Sequence, residues 1–394
     1  MRARSAPHAA LTALALLVLV GCLAALIAFT WRLRRPLPSV PPLPPAPPGV
    51  PRPQSVRVLL SQSRTEHTVS CPEGGTWRAV GEAGARPAAA GRGPWLLTAS
   101  RGRLALDGEE QAERELQLQP NEPLFGIGER SYRGTLVARV SNQGRLTLIN
   151  VIEPEQYVRS VVGSEMYRHW PLEALMAQAV AARTFMLYAV SAKGYLTRAD
   201  MAYRGVDAES AATDLATELT RGIILTYRDR ALPAYFQNTC GGRTAAADKV
   251  FAEDPIPPLS GVPCDWCRSS PYYEWQAELP AALIAELLKD PRVKDVRSIS
   301  PEGAEPDGYA RFVLVNDEVR MAAGALQLAL GPDRIRSTCF TVTAEAGSFR
   351  FAGHGYGHGV GLCQWGARGM ANDGKSWQEI LLHYYPGALL QRAY

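Results

Sequence analysis

The sequence predicts an α+β protein of mixed helices and antiparallel strands. Three observations point that way. Short runs of alternating apolar and polar residues fill residues 56–149, separated by Gly, Asn and Pro. Two apolar segments of helical character lie beyond them, between 153 and 192. Helical and extended stretches are segregated and do not alternate regularly, which argues against a parallel α/β sheet. The chain has 394 residues, enough for two or three domains at ~100–200 residues each. Its 46% hydrophobic and 20% charged content excludes a wholly disordered protein.

Taken in order, residues 1–8 are a short tail. Residues 9–31, AALTALALLVLVGCLAALIAFTW, carry no charge over 23 positions. That length exceeds the ~20 residues needed to span a bilayer, and the arginines on both flanks argue against a buried core helix. Leu19-Val20-Gly21-Cys22 resembles a lipoprotein signal box, with Cys22 as the lipidated residue. The apolar run continues past Cys22 to Phe29, so an uncleaved signal anchor fits better than lipoprotein processing. Three arginines just after the span oppose an outside C-terminus under the positive-inside tendency, so sidedness must be argued from the character of the folded part.

Residues 32–54 form a linker. Ten prolines between 36 and 53 favour polyproline II and a semi-rigid spacer over a ligand for a proline-reading domain. The formal charge of +4 is concentrated here: residues 1–55 hold six arginines and no acid, leaving 36 basic against 38 acidic residues beyond them. The basic balance therefore belongs to the anchor and gives no support to nucleic-acid binding.

Residues 55–135 are predicted to be a β-rich N-terminal region, through runs such as Val56–Leu60 and Leu116–Leu118. Residues 80–94 within it, VGEAGARPAAAGRGP, read as a mobile loop. The rest, 136–394, is predicted to be the main domain. The β-rich character continues through Thr135–Val140 and Leu146–Ile149 and changes at Asn150. Pro154 and the acids Glu153 and Glu155 then open a helix that Gly163 is expected to stop. A short loop, 164–170, leads to Pro171 and a second helix through about Ala192. Its only charges between Pro171 and Val190 are Glu173 and Arg183. Such a helix is buried, and a buried arginine needs an anionic or hydrogen-bonding partner. Strands are expected at 222–227 and 234–238, and an amphipathic helix at 281–289. Ser376–Glu379 is a capping box opening a last helix, which Pro386-Gly387 ends.

Glu165 is the leading candidate for chemistry. It falls between two apolar helices, near Tyr167 and Trp170 and within reach of Arg183. An apolar, aromatic wall raises a carboxyl pKa and keeps the acid protonated near neutrality, as a general acid requires. Spacing alone fits equally well a helix-end carboxylate paired with arginine. The segment 353–361, GHGYGHGVG, has neither the lysine nor the strand–helix context of a phosphate loop. His354 and His358 lie four apart, a metal-ligand spacing on a helix, but five glycines in nine residues disfavour that helix. Hydrogen bonding that positions a ligand or a loop is the better reading for this pair than metal binding. His169 and His383 read as structural or surface residues. Cys264 and Cys267 form a CxxC with Cys240 24 residues upstream, a weak zinc signal without a second pair. Cys71, Cys339 and Cys363 have no assignable partners.

Longer motifs carry more. Residues 155–166, EQYVRSVVGSEM, together with 170–175, WPLEAL, and 177–184, AQAVAART, resemble the signature of the stage II sporulation protein D / amidase enhancer family. Tyr203-Arg204-Gly205 with Glu209 is similar to its central glycan-site motif, and Cys240-Gly241-Gly242-Arg243-Thr244 to its CGG-x-T turn. Residues 353–367 and 383–387 resemble its C-terminal block. The matches cover roughly residues 125–390 in order.

The resemblance implies a glycan-binding cleft and a membrane-anchored, extracytoplasmic lytic transglycosylase. Its substrate would be peptidoglycan strands stripped of stem peptides. Glu165 matches the catalytic glutamate, and Arg183, Tyr203, His354, His358 and Gln364 match substrate-site positions. The implied partners are glycan strands, the cytoplasmic membrane through residues 9–31, and a cell-wall amidase. The rival class is a non-catalytic glycan-binding module that stimulates such an amidase. A zinc amidase or serine hydrolase finds no His-Glu-x-x-His or Gly-x-Ser-x-Gly to support it. No cofactor is required by the reaction. The His-Cys zinc cluster of some family members has no counterpart at 199–203, ADMAY. For a domain outside the cytoplasm, a disulfide from Cys240 to Cys264 or Cys267 is the first expectation. A structural zinc on Cys240, Cys264 and Cys267, completed by a histidine, is the second.

Overall fold

The computed structural model describes Pro42–Tyr394 apart from residues 82–83, 101, 142, 252–253 and 305–306. The expected tail, the membrane span at 9–31 and the first part of the linker lie outside the described residues. The fold is mixed α+β with mainly antiparallel sheets.

Strict alternation drives the strands before the first helix. Leu146–Ile152 buries Leu146, Leu148, Asn150 and Ile152 and turns the intervening residues outward. It pairs antiparallel with Val56–Ser61 on one side, Val58 opposite Asn150. On the other side it pairs with Thr135–Val140, Val137 opposite Ile149. Thr135–Val140 in turn pairs with Glu115–Pro120, so one seven-stranded sheet joins the stretches that the sequence reading separates at residue 135. Residues 80–94 are not a free loop. Gly75–Gly81 and Gly84–Gly91 pair antiparallel, Gly81 opposite Gly84. A second, six-stranded sheet contains Glu66–Ser70, Trp95–Ser100 and Leu124–Ile127.

Leu146–Ile152 feeds directly into the helix Pro154–Glu165, and the helix Leu172–Lys193 comes next. The second is apolar around its circumference and buried along most of its length. It is long and apolar enough to cross a membrane, but here it is the core helix of the fold. Gly194, in the left-handed region, ends it, and Leu196–Thr197 returns to pair in parallel with Val58–Leu59.

Gly163 does not stop the first helix. A Cβ there would lie 2.0 Å from the Ala208 carbonyl oxygen, so glycine is needed for close approach, and the helix runs on to Glu165. The proline-rich segment is also not wholly a spacer. The Ala46 amide donates to the Arg392 carbonyl at 2.7 Å, and the Arg392 amide donates to the Pro44 carbonyl at 2.9 Å. Ala46 and Val50 are buried. Residues 42–50 thus dock on the C-terminal strand Leu389–Arg392, which pairs with Ile223–Tyr227.

Residues 274–354 hold a further apolar core, in which Trp275, Ile284, Val313, Leu326 and Phe351 pack together. The predicted helix at 281–289 appears as Ala281–Leu288. The Ser376–Glu379 capping box is formed, opening Trp377–Tyr384.

Candidate active site

Glu165 is the last residue of its helix, not a loop residue. The negative end of the helix dipole there disfavours a second negative charge. Three contacts fix the helix on the segment beyond the core helix. Gly163 lies against Ala208, the Ser160 hydroxyl donates to the Gly205 carbonyl at 2.9 Å, and Tyr157 packs its ring 5.0 Å from Tyr203. Gly205 has φ +76°, and a side chain there would strike the Ser131 carbonyl. This docking brings the Ala202 amide to Glu165, where it donates to Oε1 at 2.7 Å. Gln364, the first residue of the helix Gln364–Asn372, donates from Nε2 towards Oε2 at 3.4 Å and towards Gln178 Oε1 at the same distance.

The Glu165 carboxyl faces a cavity of about 280 Å³ lined by Phe185, Tyr235, Phe236, Met201 and His358. Arg198 stands at the edge of this cavity. Burial pushes the Glu165 carboxyl above its ordinary value, and the Ala202 amide, Gln364 and Arg204 offset only part of that rise. The apolar wall is not the one expected. Tyr167 is exposed, and Trp170 packs on Trp365 with centroids 5.1 Å apart. Phe185, Tyr235 and Phe236 come from segments far from Glu165 in sequence, which spacing could not reveal.

His358 joins this cavity with its tautomer set by two hydrogen bonds. The Val360 amide donates to Nδ1 at 3.1 Å, so the Nε2 proton points to the Phe236 carbonyl at 3.0 Å. With both nitrogens engaged and the half-buried ring packed in an apolar wall, its pKa falls to about 4. His354 is exposed at the end of the strand Ser348–His354 and lines a different cavity of about 730 Å³, with Trp275 and Phe340. The two histidines therefore do not form a metal pair.

Two residues matched to substrate-site positions are engaged inside the protein. The Arg183 guanidinium is fully buried and makes a two-point pair with Glu155, Nε to Oε1 at 2.7 Å and Nη2 to Oε2 at 2.6 Å. Its remaining donors go to the carbonyls of Ala179, Thr217 and Ile223. No donor of Arg183 faces Glu165 or open solvent, so its role is to join the two helices. Tyr203 is buried, and its hydroxyl donates to Asn150 Oδ1 at 2.5 Å. Asn150 in turn donates to the carbonyls of Arg133 and Thr135. The tyrosine anchors the segment that carries Ala202 and does not offer its hydroxyl to a ligand. Glu209 is likewise engaged, paired with Arg133 at 2.7 Å.

The expected disulfide is absent among the described cysteines. Cys240 Sγ is 3.6 Å from Cys267 Sγ, well beyond the ~2.05 Å of a bond, and both are free thiols. Cys363, which had no assignable partner, lies with them. The sulfurs of Cys240, Cys264, Cys267 and Cys363 all fall within 4.8 Å of one another. The parallel pairing of Phe236–Gln237 with Leu362–Cys363 produces this meeting. Among the described residues no histidine joins the cluster: the His383 ring is turned to the Pro263 carbonyl at 2.9 Å.

Comparison with known proteins fits the motifs. Residues 142–227 match the SpoIID family, described as stage II sporulation protein. An uncharacterized protein of Brachyspira hyodysenteriae is 31% identical over 272 residues, covering 67% of this chain and 73% of that protein. Stage II sporulation protein D of Bacillus amyloliquefaciens is 30% identical over 287 residues, covering 65% of this chain and 78% of the relative. An amidase enhancer of Bacillus subtilis is 26% identical over 282 residues, covering 59% of this chain and 40% of the relative. At this identity and coverage the chain belongs to the stage II sporulation protein D family.

Proposed function

We propose that the protein is a membrane-anchored lytic transglycosylase that cleaves denuded peptidoglycan strands, with Glu165 as the single general acid and base. The supporting observation is the Glu165 carboxyl itself, raised in pKa by burial and facing a cavity with aromatic walls. At about 280 Å³ that cavity falls just below the ~300–1,000 Å³ range of ligand pockets, which suits the sugar at the cleaved bond more than a long chain.

In the proposed reaction the two carboxyl oxygens have different tasks. Oε1 is held by the Ala202 amide, while Oε2, whose one hydrogen bond among the described residues is the long Gln364 contact, carries the proton. Oε2 donates this proton to the oxygen linking N-acetylmuramic acid C1 to N-acetylglucosamine C4. As the C1–O bond breaks, positive charge develops on the muramoyl ring. The carboxylate then takes the proton of the muramoyl C6 hydroxyl as that oxygen bonds to C1. The product has a 1,6-anhydro end, no water is consumed, and the glutamic acid is regenerated. The nucleophile lies within the substrate, so the step gains the effective molarity of an intramolecular reaction and needs no second carboxylate. His358, neutral and engaged at both nitrogens, orders the wall and transfers no proton.

The amidase enhancer among the relatives favours a second reading: a glycan-binding module that stimulates an amidase without cutting glycan. Both readings place the folded part on the outer side of the cytoplasmic membrane, on the anchor 9–31. Incubation with purified denuded peptidoglycan and mass spectrometry of the products separates them. Anhydromuramoyl products from the natural protein and none from Glu165→Gln support the enzyme. Glycan binding without such products from either protein leaves the module.

A further inference from the structure

We infer that Cys240, Cys264, Cys267 and Cys363 form a closed four-thiolate site for a single tetrahedral zinc ion. Zinc bonds thiolate sulfur at ~2.3 Å, which sets the edges of an ideal tetrahedron near ~3.8 Å. Here all four sulfurs lie within 4.8 Å of one another, and Cys240 and Cys267 are 3.6 Å apart. That spacing suits one ion and is too tight for a cluster of several metals. All four side chains are buried, so the site has no open position and is structural, not catalytic.

Three separate segments converge to build it. Cys240 opens the CGG turn, where Gly241 and Gly242 adopt φ of +71° and +116°. The Gly242 carbonyl accepts from the Cys264 amide at 2.9 Å, tying this turn to the CxxC. Cys363 caps the helix Gln364–Asn372. Its sulfur accepts two backbone N–H groups, from Cys240 and from Gly366, each at 3.3 Å. Donors aimed at a ligand sulfur are the outer-shell arrangement that a metal-bound thiolate uses. The Tyr384 hydroxyl sits 3.1 Å from Cys264 Sγ as a further partner. At Gly366 a Cβ would lie 2.7 Å from Cys264 Sγ, so the chain leaves no space beside the sulfurs.

The position gives the ion a task. Cys363 precedes Gln364, which reaches Glu165, and Cys240 comes shortly after the strand Phe236–Gln237, whose Phe236 lines the Glu165 cavity. One ion would clamp two walls of that cavity together. The metal assignment does not depend on the proposed reaction and is tested apart from it.

The test uses the full chain purified without added metal or chelator. Elemental analysis is expected to give about one zinc per chain. Exchange with cobalt should produce the thiolate-to-cobalt charge-transfer and ligand-field bands of a tetrahedral tetrathiolate site. Cys363→Ser should lose bound zinc to trace levels, whereas Cys339→Ser, outside the cluster, should keep it. Metal content and cobalt spectrum of the natural chain stand even where Cys363→Ser fails to fold. Three results would overturn the assignment: iron in place of zinc, disulfides among these four cysteines by mass spectrometry, or full zinc retained by a folded Cys363→Ser.

Discussion

Removing the carboxylate that faces Arg183 is the sharpest check on the site as described. In Glu155→Ala the guanidinium stays buried but keeps only the carbonyls of Ala179, Thr217 and Ile223. The Gly222 amide at 3.1 Å and the Tyr394 hydroxyl at 2.9 Å also lose their acceptor. Breaking a buried pair from one side costs about 3–5 kcal/mol, because an uncompensated charge is left inside. With an unfolding entropy of ~2.1 cal/mol/K per residue over the compact unit Pro42–Tyr394, this lowers Tm by about 4–7 °C. Differential scanning calorimetry or urea titration reads the effect. Glu155→Ala/Arg183→Met should be less destabilised than Glu155→Ala, since the orphaned charge is gone. The pair also has a definite pH dependence. Burial pushes the Glu155 carboxyl up, but the charge and hydrogen bonds of Arg183 overcome it and hold the group below its ordinary value. Its contribution is therefore present above the unfolded carboxyl pKa, ~4.3, and lost as pH falls through the lower folded value. A folded Glu155→Ala with unchanged Tm at pH 7 that no longer binds glycan would refute this account and return Arg183 to the substrate site.

Four further outcomes are expected. Glu165→Gln should raise Tm at pH 7, because a carboxyl raised on folding costs stability once ionised; the gain should vanish as pH falls towards about 4, and a loss at pH 7 would contradict it. Gly163→Ala gains ~1 kcal/mol of helix propensity but meets the Ala208 carbonyl at 2.0 Å, so a net loss of about 1–2 kcal/mol is expected by urea titration. Tyr203→Phe leaves Asn150 Oδ1 without its buried donor and should cost about 1–3 kcal/mol, with glycan affinity of the folded variant unchanged by calorimetry. His358 should stay neutral down to about pH 5 by NMR; with a folded pKa of about 4, its contribution to stability is lost as pH falls from ~6.5 to that value, and a measured pKa above 6 would exclude the two-bond tautomer.

The features legible from the amino acids alone are local in origin. Alternation of period two placed Leu146–Ile152, and the apolar circumference of 172–193 announced a buried helix whose arginine needed a partner. The Ser376–Glu379 box and the candidacy of Glu165 were legible because caps and motifs lie within a few neighbouring residues. Tertiary structure alone decided which groups meet. Glu155, not Glu165, answers Arg183 from 28 residues away, and this separates the structural ion pair from the unpaired carboxyl in the cavity. The Gly163–Ala208 contact turned an expected helix stop into a close approach that delivers the Ala202 amide to Glu165. Cys363 reaches Cys240 across 123 residues through a two-residue parallel pairing, too short to leave a periodic trace. Periodicity reports which face of an element is buried; it carries no information on which distant element covers that face, and that choice made the site.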